Sequence, residues 1–588
     1  MPTITIDNQT RTVSEGQTIL EIANQAGIAI PTLCYRSDCR PETSCLVCQV
    51  RLIDPNRPGS YKTVPSCATL AVDGMVIDAS SVEVIQARKA ALELLLSDHR
   101  GDCFGPCTTI CPTGLDIPAL VRAFAKGRQD WAEKTIFRSM AFPSVLGRLC
   151  GHPCENGCRR KALDQSIPIQ SIHRTVSDEQ LFSSDSKRFR SVQTAVASDP
   201  LALDSTLADK SVAVVGAGIA GLTAAFLLAR QGARVVVFDR QGEAGGRLRT
   251  EFAEKLSSFG PSAGSVLDAE IERVWAQSVD WRPNVLIDQP ETLSELSCHF
   301  SAVLWAAGAE SFPVLRAILA DSGLNALSLD APSTSRWKNL FWVSDNLFIA
   351  GDAKRGKKSP PVLNAGDGRW SALAIARFLQ GEDLFQYEQT GLRPWGTRSY
   401  AQTKDELQSL AAAAAKDALS ETLEPNRQED CRPEVGDLGI EEKRLDSLRQ
   451  AAKNCLHCDC RAVDDCRLRI WSDRYQAAPE RWGRSDRPLT VSTSDISSEC
   501  EAIREPSKCI NCGLCVQIAN QAVREESALQ AEWDETSAVH SGLAFRGRGF
   551  PVQVQVPFND PLPESMSQDT AQRCFDACPT AAFSIRFR

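Results

Sequence analysis

The stretch Ser211-Val-Ala-Val-Val-Gly216-Ala-Gly218-Ile-Ala-Gly221 decides how the middle of this chain folds. A short valine-rich run reads as a buried parallel strand. Gly216 and Gly218 let the turn behind it approach a pyrophosphate, and the N-terminus of the next helix favours negative charge. Gly221 permits close packing of that helix on the strand. A second strand, Arg234-Val-Val-Val-Phe238, ends at Asp239, an acid placed to accept hydrogen bonds from ribose hydroxyls, and Gly245-Gly246-Arg247 follows. Strand, turn, helix and acid are in register for a dinucleotide.

Two distant segments select FAD. Phe300-Ser-Ala-Val-Leu-Trp-Ala-Ala-Gly308 resembles the strand and glycine turn between the lobes of flavoprotein disulfide-reductase-like folds, and Asn346-Leu-Phe-Ile-Ala-Gly351-Asp352 resembles their closing FAD motif. The resemblance implies that Asp352 meets the ribityl chain and that Gly366 and a helix over Trp370–Leu379 cap the isoalloxazine side. Such folds insert a second nucleotide domain between these segments. Here only about 40 residues lie between Gly308 and Gly351, against the order of 100 that a compact domain needs. The expectation is therefore FAD retained and the NAD(P)H site absent.

The chain has 23 cysteines, all but Cys298 on either side of this fold and mostly in close-spaced groups. In a reducing compartment such groups read first as metal ligands. Cys34-x10-Cys45-x2-Cys48-x18-Cys67 supplies the four thiolates of a [2Fe–2S] cluster, with structural zinc the competing reading. Ile30-Pro-Thr-Leu-Cys34, Cys45-Leu-Val-Cys48 and Cys67 resemble the N-terminal ferredoxin domain of the large peripheral complex I subunit and of iron-only hydrogenases. Cys39 reads as a spare thiol.

Next come Cys103-x3-Cys107-x3-Cys111-Pro112 and Cys150-x3-Cys154-x3-Cys158. Six thiolates are two short of two [4Fe–4S] cubanes. The text around Cys111-Pro-Thr-Gly-Leu-Asp116 and Leu146-Gly-Arg-Leu-Cys150-Gly-His-Pro-Cys154 resembles the helical domain of the glutamate synthase small subunit, shared with dihydropyrimidine dehydrogenase. The resemblance implies one cluster on Cys103, Cys107 and Cys158, and another on Cys111, Cys150 and Cys154. His99, four residues before Cys103, and His173 are the candidates for the two empty positions. His152 reads as a hydrogen-bonding neighbour.

Near the C-terminus, Cys455-x2-Cys458-x-Cys460-x5-Cys466 suits one [4Fe–4S] cubane, with zinc again the alternative. The arrangement resembles the tail of long, cluster-rich relatives of glutamate synthase small subunits. Cys509-Ile-Asn-Cys512-Gly-Leu-Cys515, closed by Cys578-Pro579, resembles a bacterial ferredoxin. Ala519 stands where a second cluster would need a cysteine, so one cubane is expected and Cys574 is left over. Cys298, Cys431 and Cys500 read as ordinary thiols.

The length, 588 residues, calls for several domains. The expected class is multidomain α/β and α+β. A β-grasp [2Fe–2S] domain covers 1–80, a helical two-cluster domain 81–205 and a Rossmann-like FAD domain without the NAD(P)H insertion 206–390. A linker over 391–440, with a helix at Lys404–Leu423, leads to a cysteine-rich segment over 441–500 and a ferredoxin-like domain over 501–588. Net charge −9 offers no basic field for nucleic acid. No signal peptide or bilayer-length apolar run is visible, so a cytoplasmic protein without membrane insertion is expected. Nothing resembles a hydrolase or phosphoryl-transfer site, and no catalytic side chain beyond the redox centre is identified.

One [2Fe–2S], about four [4Fe–4S] clusters and one FAD describe an electron-transfer subunit that works with other oxidoreductase subunits or a ferredoxin. The alternatives are a free-standing NAD(P)H oxidoreductase with an unusual nucleotide site, and an iron–sulfur redox sensor.

Overall fold

Isoleucines at alternate positions of Thr3–Ile6 (β1) turn Ile4 and Ile6 into the core and leave Thr3 and Thr5 outside. A tight turn leads to Gln9–Thr12 (β2). Gln49–Ile53 (β3), Tyr61–Pro65 (β4) and Val76–Asp78 (β5) complete a five-stranded sheet in the order β2-β1-β5-β3-β4, with β1 and β5 parallel and the other pairs antiparallel. The helix Ile19–Gln25 begins with a capping box, in which Thr18 accepts the Glu21 N–H and Glu21 accepts the Thr18 N–H. Its Ile19, Leu20 and Ile22 pack on Ile4, Ile6 and Ile77. The computed structural model describes residues 2–54, 56–57, 59–182, 207–258, 263–321, 341–382, 438–461, 465–478, 481–483, 491–497, 500–529, 543–547, 552–555 and 567–587, together with 384, 407, 408 and 411.

The chain divides into two compact units. One comprises Gly105–Arg393 and Ala418–His457; the other comprises Met1–Phe104, Pro394–Asp417 and Cys458–Arg588. In the Gly105–Arg393 unit, Ser211–Val215 (β6), Arg234–Phe238 (β7), Asp280–Arg282 (β8), Ala302–Trp305 (β9), Trp342–Ser344 (β10) and Leu347–Ile349 (β11) form a sheet in the order β10-β11-β9-β6-β7-β8. All its pairings are parallel except β10 with β11. The helix Ile219–Arg230 follows β6 and packs on Pro361–Leu379. That second helix begins nine residues before Trp370, so Gly366 and Gly368 lie inside it. Short helices from Pro106 to Phe182 build the cysteine-bearing part, and Leu438–Lys453 packs on Ile117–Ala125.

In the other unit, the helix Val82–Asp98, capped by Ser81, packs on Arg467–Arg474. Ser492–Ser497 (β12), Cys500–Arg504 (β13) and Phe583–Phe587 (β16) form an antiparallel sheet, and Ala544–Arg546 (β14) pairs with Gln553–Gln555 (β15). Gln568–Ala577 packs on Leu514–Leu529. The first and last segments of the chain thus share this unit, with Leu33, Cys34 and Cys45 in the same apolar core as Cys512, Leu514 and Ala571. Most of the expected helix Lys404–Leu423 and Cys431 lie outside the described residues.

Candidate metal and dinucleotide sites

In the N-terminal site, the Cys34 and Cys45 sulfurs are 3.3 Å apart, and the Cys48 and Cys67 thiols are hydrogen-bonded to one another. All four are buried. Ser66 donates both its N–H (3.1 Å) and its hydroxyl (2.8 Å) to the Cys48 carbonyl, tying the approach to Cys67 onto the start of β3. The Cys45 thiol draws Cys34 down to about 6, and the Cys67 thiol draws Cys48 down to about 7, while their partners are pushed up. Two pairs, each with one thiolate-prone member, suit two irons that take two sulfurs each.

Cys509, Cys512, Cys515 and Cys578 line one small cavity of about 40 Å³. Burial first, and the neighbouring thiols after it, push Cys512 and Cys515 up. Placing four thiolates here without cationic iron is therefore costly. The Asn511 N–H points at the Cys509 sulfur at 3.4 Å. Cys574 is buried and bonds the Cys515 carbonyl at 3.6 Å.

Cys111, Cys150 and Cys154 lie within electrostatic reach of one another, and burial leads the rise of both Cys150 (to about 11) and Cys154. The Cys111 sulfur is 3.2 Å from the Thr113 hydroxyl. Gln170 donates to the Cys150 carbonyl at 2.9 Å, which fixes the start of the helix Ile169–Phe182 that carries His173. His173 is buried, its Nε2 has no hydrogen-bond partner, and burial lowers it to about 4. A buried, neutral imidazole with an open ring nitrogen has the protonation state of a metal ligand. His152 instead sits 3.1 Å from Glu155.

The helix Pro106–Ile110, which bears Cys107, packs on Pro153–Asn156, just before Cys158. A Cβ at Gly157 would stand 3.3 Å from Ile110. Cys455 belongs to this unit with Cys107 and Cys158, whereas Cys458, Cys460 and Cys466 belong to the other, with His99 and Cys103. Among the described residues, no three His, Cys, Asp or Glu side chains stand close enough to hold a single metal ion.

Gly216, Gly218, Asp239 and Gly246 line a cavity of about 620 Å³, with Arg247, Gly308 and Asp352 on its other walls. This volume lies within the range of ligand pockets. Gly216 has φ +112°, and a Cβ there would meet the Ala306 carbonyl oxygen at 2.5 Å. A Cβ at Gly218 would meet nothing within 4 Å, so only the cavity lies beyond it. Gly221 lies under the turn, its Cβ position 2.0 Å from the Gly216 oxygen. Gly351 (φ +68°) turns the chain out of β11 into Asp352. Arg247 and Asp352 form an ion pair at 2.5 Å, and the other carboxylate oxygen of Asp352 is buried without a partner. That orphaned acceptor fits a polar ligand in the cavity. Asp239 accepts the N–H of Ala217 (2.6 Å) and of Gln241 (2.8 Å), and so also clamps the glycine turn.

Sequence reasoning missed how the cysteine-bearing helices join this cavity. Pro361 and Asn364 line it, and two residues further along the same helix a Cβ at Gly366 would stand 2.5 Å from the carbonyl oxygen of Pro112, the residue after Cys111. The Trp370 indole N–H donates to that same oxygen at 2.9 Å, and Arg369 bonds the Thr113 carbonyl. Glycines inside a helix signal close backbone approach, but the sequence does not name what approaches. Glu270, buried and raised to about 7 chiefly by its burial, accepts the N–H groups of Ser144 and Val145 and so caps the helix leading to Cys150.

Residues 1–81 match the family described as 2Fe-2S iron-sulfur cluster binding domain. Residues 100–184 match dihydropyrimidine dehydrogenase domain II, 4Fe-4S cluster, and 214–268 match NAD(P)-binding Rossmann-like domain. The last match leaves the expected absence of an NAD(P)H site unsupported. Among curated relatives, the chain is 33% identical over 217 residues to "NADP(+)-dependent formate dehydrogenase subunit beta" of Moorella thermoacetica, covering 34% of this chain and 29% of that one. It is 32% identical over 206 residues to "NADPH-Fe(3+) oxidoreductase subunit beta" of Geobacter sulfurreducens, covering 35% and 28%. It is 46% identical over 108 residues to "NADP-reducing hydrogenase subunit HndD" of Solidesulfovibrio fructosivorans, covering 18% of each. The chain thus spans less than a third of the length of each of these relatives. Among the described residues no helix is long and apolar enough to cross a membrane. The chain is a multidomain α/β protein with a [2Fe–2S] domain, a [4Fe–4S] domain and a Rossmann-like nucleotide domain, and the relatives it matches are named as subunits of a formate dehydrogenase, an oxidoreductase and a hydrogenase.

Proposed function

We propose that this chain is an electron-transferring subunit of an oxidoreductase, with FAD in the cavity at Gly216–Gly221 and one [2Fe–2S] cluster on Cys34, Cys45, Cys48 and Cys67. Four [4Fe–4S] clusters complete the set, one of them on Cys509, Cys512, Cys515 and Cys578 and another on Cys111, Cys150, Cys154 and His173. FAD, when bound, exchanges electrons in pairs with a donor and singly with clusters. Arg247 and Asp352 orient the dinucleotide, the glycine turn admits its pyrophosphate, and Gly366 lets the Cys111 segment lie against the helix that walls the cavity.

The close approach of Gly366 to Pro112 carries the reading, because it packs a cysteine group directly behind the nucleotide cavity. The partners are other subunits or a ferredoxin, as the subunit names of the relatives suggest. Anaerobic analysis of the full chain should give one FAD and about 18 irons, from one [2Fe–2S] and four cubanes. Protein without flavin would overturn the reading.

The NAD(P)-binding description over 214–268 favours a second reading, a chain that reacts with nicotinamide by itself. Rapid flavin bleaching on adding NADPH to the pure chain would establish it. Reduction by dithionite alone, with nicotinamide turnover only after a partner is added, would establish the first.

A further inference from the structure

The cysteine-rich tail Cys455-Leu-His-Cys458-Asp-Cys460 runs on to Cys466 within a dozen residues, which invites the reading of one self-contained cluster. Its surroundings point elsewhere. The Cys460 N–H donates to the carbonyl of Cys103 at 3.1 Å. The chain around Cys103 is itself fastened to the segment before Cys509. Arg100 donates its N–H to Ser507 at 2.8 Å, and a Cβ at Gly101 would meet the Lys508 side chain at 2.7 Å. Cys103 and Cys460 are therefore neighbours although more than 350 residues separate them in sequence.

Cys466 is the N-cap of the helix Arg467–Arg474, and it contacts the Pro579 carbonyl at 3.5 Å. Cys460 and Cys466 both lie within electrostatic reach of Cys103. Arg469 and the fully buried Lys508 stand close enough to oppose them. Lys508 pairs with Glu505 at 2.8 Å. Cations here suit a site that gathers thiolates. His99, also buried, has its Nδ1 3.1 Å from the Lys508 carbonyl. An imidazole that gives Nδ1–H to a backbone carbonyl is oriented to offer Nε2 to a metal.

Cys455 has different neighbours. Arg160 donates to the Asn454 carbonyl at 3.1 Å, and Cys158 and Cys455 both act on its guanidinium, after Asp164. The helix Leu438–Lys453 delivers Cys455 by packing on Ile117–Ala125, next to the helix that bears Cys107.

We propose that the tail encloses no cluster of its own and divides three of its four thiols between two [4Fe–4S] sites: His99, Cys103, Cys460 and Cys466 hold one, while Cys455 joins Cys107 and Cys158 at another. Together with the sites at Cys111 and Cys509, this still makes four cubanes. It also moves Cys103 away from Cys107 and Cys158, the set that the glutamate synthase resemblance implies.

The inference rests on the iron–sulfur reading of the chain, and the two fail separately. Iron far below about 18 per chain in the unaltered protein would sink that reading. The inference is tested by which substitutions remove the same signal. In the full chain, reduced anaerobically and followed by EPR with iron analysis, Cys103→Ser and Cys460→Ser should each remove one and the same cubane, about four irons. Cys455→Ser and Cys158→Ser should remove a different one. Loss of a single common signal in Cys455→Ser and Cys460→Ser, with a separate one lost in Cys103→Ser, would overturn the division. Should Cys103→Ser not accumulate, His99→Cys takes its place, because it keeps a donor at that position. The added thiolate charge should lower the midpoint potential of the signal that Cys460→Ser removes. An unmoved potential would overturn the site.

Discussion

Two groups of four cysteines, Cys34–Cys67 and Cys455–Cys466, look alike in sequence and differ in what the fold does with them. The first is spread over 34 positions, yet β3 and the turn at Ser66 fold it back on itself, so that its sulfurs meet in two pairs. The second is packed into 12 positions, yet its members have neighbours drawn from two different compact units. Close spacing shows that thiols are wanted at a place in the chain. It does not show that they serve one another. That depends on whether the intervening backbone closes a loop, as at Leu46 (φ +53°) and the Ser66 bonds, or instead leaves successive thiols in different compact units, as between Cys455 and Cys458.

The sharpest way to break this contrast is at Cys48. If the N-terminal site is self-contained, Cys48→Ser should cost the whole [2Fe–2S] signal, about two irons, and leave every cubane signal in place. A cubane lost along with it would mean that this site, too, shares its ligands.

Next in size is the nucleotide cavity, where the proposed flavin, and not the packing of the fold, would require Gly218. Gly218→Val should fold with its clusters intact and bind no FAD, because its side chain has only the cavity to enter. Flavin at full occupancy would show that the turn does not meet a pyrophosphate.

A smaller effect is expected at His173. His173→Ala removes one donor from a site that retains three thiols, so it should shift one cubane's EPR signal without abolishing it. Unchanged spectra would show that the open Nε2 has no metal to hold.

Smallest is the frame of the N-terminal site. Thr18→Ala removes the hydroxyl that accepts the Glu21 N–H while keeping the backbone N–H that bonds the Glu21 carboxylate, and should cost about 1 kcal/mol in the stability of the N-terminal sheet, read by denaturant melts of the full chain, with the [2Fe–2S] signal unchanged.

The parts legible in the sequence were local. The valine runs with their glycine turn mark β6, β7 and the cavity between them, because they rest on a period and a turn rule confined to a few residues. Gly366 shows where such rules stop. Its place inside a helix announces a close neighbour, but Pro112 lies some 250 positions away. Cys103 and Cys460 were hidden for the same reason, and so was the meeting of both chain ends in one core through Cys34 and Cys512. Asp239 is a different case. Its place after β7 was readable, but its grip on the Ala217 N–H belongs to the fold.

The central claim is that the nucleotide cavity and the cysteine groups form one electron path. The direct test is to photoreduce the flavin of the full chain anaerobically with a sacrificial donor, then follow flavin absorbance and cluster EPR in the dark. The flavin absorbance should recover as reduced-cluster signals grow, the electrons lost by one matching those gained by the other. A flavin that stays bleached beside EPR spectra that do not change would contradict the account.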